Sequence, residues 1–225
     1  MGEGGSRAVT SRDWQAWHAP YDDAGSPLAR RLAIVQRRIL EAVDAAPAGP
    51  LRAVSMCAGQ GRDLIGGLRG HPRRHDVVAR LVELDERNVE TARAAARAAG
   101  MGGVQVVAGD AGISDAYAGA VPADLVLVCG VFGNVTDADI GHVIQRLPEL
   151  CAPGATVLWT RHRLAPDLTP AIRGWFEAAG FDEIGFDAPE DSIFSVGANR
   201  LRGDPRPLER GVRLFQFVGF DTLRA

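Results

Sequence analysis

The sequence predicts a three-layer α/β fold, a largely parallel sheet with helices on both faces. Three observations carry this. Four apolar runs, at about 52–57, 77–84, 104–108 and 124–129, are continuous rather than alternating, as expected of strands covered on both faces. Segments with apolar residues at helical spacing lie before and between them, the longest at 27–46 and 86–99. The first run, Val54 to Ala58, ends in Gly59-Gln60-Gly61 and then a helix-compatible segment. Strand, tight turn and helix start together bring a backbone close to a nucleotide-like ligand.

Each element has a local reason. Ser26 can cap the first helix and Pro27 suits its first position. Leu28, Leu32, Val35, Ile39 and Val43 share one face of it, and Pro47-Ala48-Gly49-Pro50 ends it. After the glycine turn a helix is expected at about 62–69 and a polar loop at 70–75. The helix at 86–99 stops at Gly100. Thr136 or Asp137 caps another helix, reaching about residue 151, and Pro153-Gly154 turns into a fifth strand at about 155–160. Thr169-Pro170 opens a helix ending at Gly180. A sixth strand is expected at about 182–187 and a seventh at about 212–219, joined by a long Pro/Gly/Arg-rich connection at 188–211.

The second apolar run carries Glu83 at its end, about 20 residues beyond the turn, where an acid can take two ribose hydroxyls. The third position of a dinucleotide fingerprint is Leu64, not glycine, so the close helix–strand approach that a pyrophosphate needs is missing. A ribose without a pyrophosphate points to S-adenosylmethionine rather than NAD.

From about residue 50 onward the chain resembles the class I S-adenosylmethionine-dependent methyltransferases. Their glycine-rich first motif matches Cys57-Ala58-Gly59-Gln60-Gly61-Arg62-Asp63, and their acidic second motif matches Val82-Glu83-Leu84-Asp85. Their third motif matches Gly109-Asp110-Ala111, and their fourth-strand motif matches the run from Ala123 to Cys129 and Gly130. The resemblance implies a Rossmann-like, mostly parallel seven-stranded sheet with an antiparallel last strand. It also implies S-adenosylmethionine as cofactor and a set of roles. Gly59 and Gly61 would pass under the methionine part, Glu83 would hold the ribose with Asp85 as its competitor, and Asp110 and Ala111 would meet the adenine. Cys57, Ala58, Cys129 and Gly130 would complete the cofactor wall. Asp63, at a helix start, fits capping as well as ligand binding.

Methyl transfer from a sulfonium requires alignment of the nucleophile and exclusion of water, so no catalytic side chain is obligatory. Phe132 and Asn134, in the loop after the fourth strand, are candidates for shaping the acceptor site. That loop lacks the Asn/Asp-Pro-Pro-aromatic run of exocyclic-amine DNA methyltransferases and the acid of metal-dependent catechol-type enzymes. Trp14, Trp17, His18 and Tyr21 crowd an extension at 1–26 that precedes the main domain, 27–225. Trp17 and Tyr21 are assigned to a lid touching substrate, the alternatives being burial alone or an exposed patch for a partner. His162 and His18 are the candidate bases, each with solvent exposure or packing as its ordinary explanation. Arg161, Arg163, Arg200 and Arg202 could anchor an acidic substrate.

Composition narrows the partners. With 225 residues, 46% hydrophobic and 24% charged, the chain suits one α/β domain with a short extension. A net charge of −3 argues against a nucleic-acid substrate, and no apolar run is long enough to span a membrane. All 25 basic residues are arginine, a compositional bias rather than 25 functional sites. Cys57, Cys129 and Cys151 have no metal spacing and fit a reduced cytoplasm. The polar start, MGEGGSRAVTSRD, reads as neither signal peptide nor anchor. The expected function is therefore methylation of a small molecule at oxygen or nitrogen. A non-catalytic cofactor- or partner-binding domain and an NAD-dependent oxidoreductase are the rivals.

Overall fold

The computed structural model describes residues 20–218. Helix α1 (Pro27–Ala45) starts as its sequence demands, with the Ser26 hydroxyl accepting from Ala29 N–H and Pro27 in the first turn. Its far end is closed by a residue from elsewhere. The Arg73 guanidinium donates to the carbonyls of Val43, Ala46, Pro47 and Gly49, satisfying groups that a helix end leaves open.

Strands β1 (Leu51–Met56), β2 (Val77–Glu83), β3 (Val104–Ala108), β4 (Ala123–Val128), β5 (Cys151–His162), β6 (Phe181–Asp187) and β7 (Phe194–Leu201) form one sheet, in the order β3-β2-β1-β4-β5-β7-β6. Neighbouring pairs from β3 to β5 are parallel, and β7 runs antiparallel to both β5 and β6. Helices α2 (Leu64–Leu68), α3 (Glu86–Ala98), α4 (Asp137–Arg146) and α5 (Thr169–Ala178) complete the layers.

The continuous apolar runs divide their side chains between two cores. Val54, Met56, Val126, Val128 and Trp159 face one way, against Ile140 and Ile144 of α4 and Ile172 and Phe176 of α5. Leu51, Ala53, Leu125 and Leu127 face the other way, against Ile39 of α1, Leu68 of α2 and Ala92 of α3. Each fully buried Val, Leu, Ile or Phe contributes about 1.5–3 kcal/mol of transfer free energy, which fixes the strands whose ends build the site. Among the described residues no helix is long and apolar enough to cross a membrane.

The fold class and antiparallel last strand agree with expectation, but that strand is a different segment. β7 is 194–201, so the link after β6 is only residues 188–193, and 212–218 makes just one isolated bridge, between Ile113 and Arg213. The reason lies under β7. A Cβ at Gly197 would come within 2.1 Å of the Trp159 indole, and the Trp159 Nε1–H donates to Asn199 Oδ1 at 2.8 Å. Gly197 and Asn199 depress strand propensity, yet they are the residues that accommodate a buried tryptophan on the neighbouring strand. Two further boundaries differ. α2 spans 64–68 rather than 62–69, with Asp63 as its cap, and α4 yields at Arg146 to a short 3-10 turn containing Pro148.

Candidate functional site

The order of the strands reverses direction between β1 and β4, and a cavity of about 380 Å³ opens there, at their carboxyl ends. Such crevices are where open α/β sheets take their ligands. The first wall is the glycine turn. Cys57 adopts a left-handed φ of 50°, Gly59 of 54° and Gly61 of 69°, so the chain doubles back directly after β1. Cys57, Ala58 and Gly59 line the cavity, whereas Gly61 does not. Gly61 instead closes the turn on Ala58 O, and a Cβ there would meet the Ile65 side chain at 2.6 Å. It serves the turn rather than facing a ligand.

Glu83 is buried at the end of β2, and its carboxylate ties two turns together. Oε2 accepts from Gly59 N–H at 2.8 Å and Oε1 from Asp85 N–H at 2.9 Å. Each oxygen keeps further acceptor capacity. Asp85 lies outside the cavity lining. It caps α3 through Arg87 N–H and pairs with the Arg87 guanidinium, whose hydrogen bond holds its carboxyl below the usual range. The expectation that Asp85 rivals Glu83 is corrected, because α3 consumes its carboxylate. In the first turn of α3, the buried Asn88 also lines the cavity, and its Nδ2 has no hydrogen-bond partner among the described residues.

Asp110 and Ala111 follow β3 on the same side of β1 and line the cavity. Asp110 Oδ1 accepts from Gly112 N–H at 2.8 Å, and Oδ2 from the Arg213 guanidinium at 2.9 Å. Across β1, the β4 end contributes Cys129, Gly130 and Asn134. Gly130 N–H donates to the Thr160 hydroxyl, and Asn134 Nδ2 donates to Gly130 O, which fixes the amide. Cys57 and Cys129 are not partners. Burial, then Glu83 and Asp110, push the Cys57 thiol up, whereas burial and Asp63 push up that of Cys129. Their side chains join opposite cores, so the two thiols face away from each other across the sheet.

Near Cys129 stand Tyr21, Arg31 and Asp63. The Tyr21 hydroxyl accepts from Arg31 at 2.6 Å. Burial pushes the Asp63 carboxyl up to about 6, against the opposing pull of its bond from Leu64 N–H and of Arg31. The cavity thus offers carboxylate acceptors on its β2–β3 side, and a guanidinium with a half-buried carboxyl on its β4 side.

Other expected residues lie elsewhere. Phe132 is fully buried and packs on Trp159 with ring centroids 6.0 Å apart, so it belongs to the core and not to the cavity. His162 ends β5 behind the loop carrying Gly133, outside the cavity lining. Burial, then Arg161, lower its pKa, and its Nδ1 has no partner among the described residues. A base role in this cavity is therefore not supported by its position. Arg161 and Arg163 donate to the carbonyls of Phe132, Pro189 and Ser192, bracing loops rather than awaiting a substrate. Trp14, Trp17 and His18 lie outside the described residues. No group of three or more His, Cys, Asp or Glu side chains placed to hold a metal occurs among the described residues.

Sequence reasoning missed Arg31, whose position off the apolar face of α1 reads as solvent exposure, and the lining residues Arg213, Phe215, Gln216 and Phe217. The alternation in VRLFQFV resembles a strand, which concealed the latter.

No family model matches the sequence, and no curated protein does. Solved structures match its fold. One is an O-methyltransferase family protein from Burkholderia thailandensis, with a TM-score of 0.64 and 19% identity over 87% of this chain. This chain spans 62% of that protein's length. Another is the magnesium protoporphyrin IX methyltransferase of Synechocystis PCC 6803 with bound S-adenosylmethionine, at 0.63 and 14% identity, covering 84% of this chain and 91% of that one. A third, at 0.55 and 12% identity, is the [4+2]-cyclase SpnF, covering 77% of this chain and 81% of that one. With its strand order and its crevice at the β1–β4 switch, the chain has the fold of the class I S-adenosylmethionine-dependent methyltransferases.

Proposed function

We propose that the chain transfers a methyl group from S-adenosylmethionine to a small-molecule acceptor, at oxygen or nitrogen. The observation that carries this reading is the Glu83 carboxylate, fixed by two backbone N–H groups at the cavity wall. The two oxygens of one carboxylate suit a vicinal diol, whose hydroxyls can both donate to it. The remaining donor set fits the rest of the cofactor. Asp110 can accept from the adenine amino group, and Arg31 and Asp63 complement the carboxylate and ammonium of an amino acid.

When bound, the sulfonium supplies an activated methyl group for in-line displacement. The chain's own residues hold, orient and exclude water. Leu32, Val35, Phe215 and Phe217 provide apolar walls, and Tyr21 and Asn134 flank the β4 side, where the acceptor is assigned. Tyr21 and the Asp22–Arg62 ion pair bring residues 20–26 against the cavity, which supports reading that segment as part of a cover. A cavity of about 380 Å³ and a net charge of −3 favour a small acceptor over nucleic acid. Three free thiols fit a reducing cytoplasm.

Because one structural neighbour is named a cyclase, binding alone does not establish transfer. The test is incubation of the protein with methyl-labelled S-adenosylmethionine and the small-molecule fraction of a cell extract. Label in a low-mass product, with release of S-adenosylhomocysteine, supports the proposal. Label only in macromolecules, or cofactor bound but never turned over, contradicts it.

A further inference from the structure

The segment after β7 leaves the sheet and crosses the rim of the cavity. Ser114 N–H donates to Val212 O at 2.9 Å, Leu214 N–H to Gly112 O at 2.7 Å, and Val218 N–H to Asn134 O at 3.0 Å. The strap is therefore tied at one end to the loop after β3 and at the other to the loop after β4. Its Leu214 and Phe215 are buried, and Arg213, Phe215, Gln216 and Phe217 line the cavity. Gly112 is shaped to this contact, since a Cβ there would stand 2.3 Å from Phe215 O. At the β3 end, Arg213 meets Asp110, the residue the cofactor reading places against adenine.

We propose that Arg213 is a positioning residue for purine recognition. By holding Asp110 Oδ2 while Gly112 N–H holds Oδ1, it fixes the carboxylate in the orientation that accepts from the exocyclic amine of adenine and rejects a 6-oxo purine. The inference rests on the proposed cofactor. Both charges are about half exposed, at 49% and 48%, so the pair adds little to stability. Its effect is geometric. A carboxylate held at both oxygens is restricted in rotamer, and each oxygen retains a lone pair for a further donor. A 6-oxo purine would turn a carbonyl oxygen onto that carboxylate, two acceptors with no proton between them, and polar mismatches of this kind give the larger discriminations.

The test is calorimetric titration of the full chain with S-adenosylhomocysteine and with S-inosylhomocysteine, its 6-oxo counterpart. Wild type should prefer the adenine compound. Arg213→Ala and Arg213→Met should reduce that preference about tenfold, with unchanged thermal midpoints. Arg213→Lys should restore most of it, because an ammonium can still pair with Oδ2. An unchanged preference in Arg213→Ala overturns the proposal. So does an equal loss of affinity for both compounds, which would make the strap a cover without a role in base recognition. Wild-type protein that binds neither compound overturns the cofactor reading itself, and this inference with it.

Discussion

Glu83 accepts one N–H from the glycine turn and one from the turn into α3, so its carboxylate is oriented before any ligand arrives. Glu83→Ala should weaken S-adenosylhomocysteine binding by about 1.5–3 kcal/mol, the range for hydrogen bonds to a charged group. Calorimetry measures it, and wild-type affinity in the variant would remove Glu83 from the site. Asp63 gives a pH-dependent expectation. Its folded pKa is raised from 3.8 to about 6, so the folded state holds the proton more tightly than the unfolded chain. That contribution to stability is complete below about 3.8 and is lost as pH rises through about 6. Asp63→Asn, which keeps an acceptor for Leu64 N–H, should stabilise the ligand-free protein at pH 8, on the order of 1–2 kcal/mol after allowance for part exposure. At pH 3.5 it should bring no gain. Denaturant melts at the two pH values check this; equal gains at both would contradict the assigned cause. Glu83, Asp110 and Asn134 were legible in the sequence because strand ends in a parallel sheet point to one edge. Asp85, Phe132 and His162 were not, because a cap, an aromatic core and a loop claimed side chains that sequence position alone places near that edge.

The strands β1 to β4 could be read directly, since continuous apolar runs mark strands covered on both faces. β7 could not. Phe194–Leu201 carries a serine, a glycine, an asparagine and an arginine, and its suitability appears only against Trp159 of β5. Conversely, VRLFQFV alternates like a strand, but Leu214 and Phe215 are buried by crossing the cavity rim rather than by pairing. Gly197→Ala should cost about 1–3 kcal/mol, the usual penalty for overpacking a filled core, because the new Cβ meets the indole at 2.1 Å. Denaturant unfolding followed by tryptophan fluorescence measures this. Unchanged stability would mean that β7 and β5 are less tightly packed there.

At the scale of the molecule, the sheet is an instrument for bringing distant segments together. α1 precedes β1 in the chain, yet Arg37 and Arg38 hold Asp187 at the end of β6, each at 2.7 Å. That clamp helps set where α1 lies, and α1 carries Arg31 to the cavity. The strap from 212 to 218 arrives from the opposite end of the sequence and meets the same crevice. Neither approach can be read from local spacing, because both depend on elements far away in the sequence. Glycine turn, buried glutamate, guanidinium and strap converge on one cavity, the one proposed to hold an adenosyl amino acid. A crystal structure of the full chain with S-adenosylhomocysteine tests that convergence most directly. Ribose hydroxyls on Glu83, the purine amine on Asp110 and the amino-acid end between Arg31 and Asp63 are the expected result. An empty crevice at saturating ligand, or the compound bound elsewhere with Glu83 facing only its two backbone partners, would contradict it.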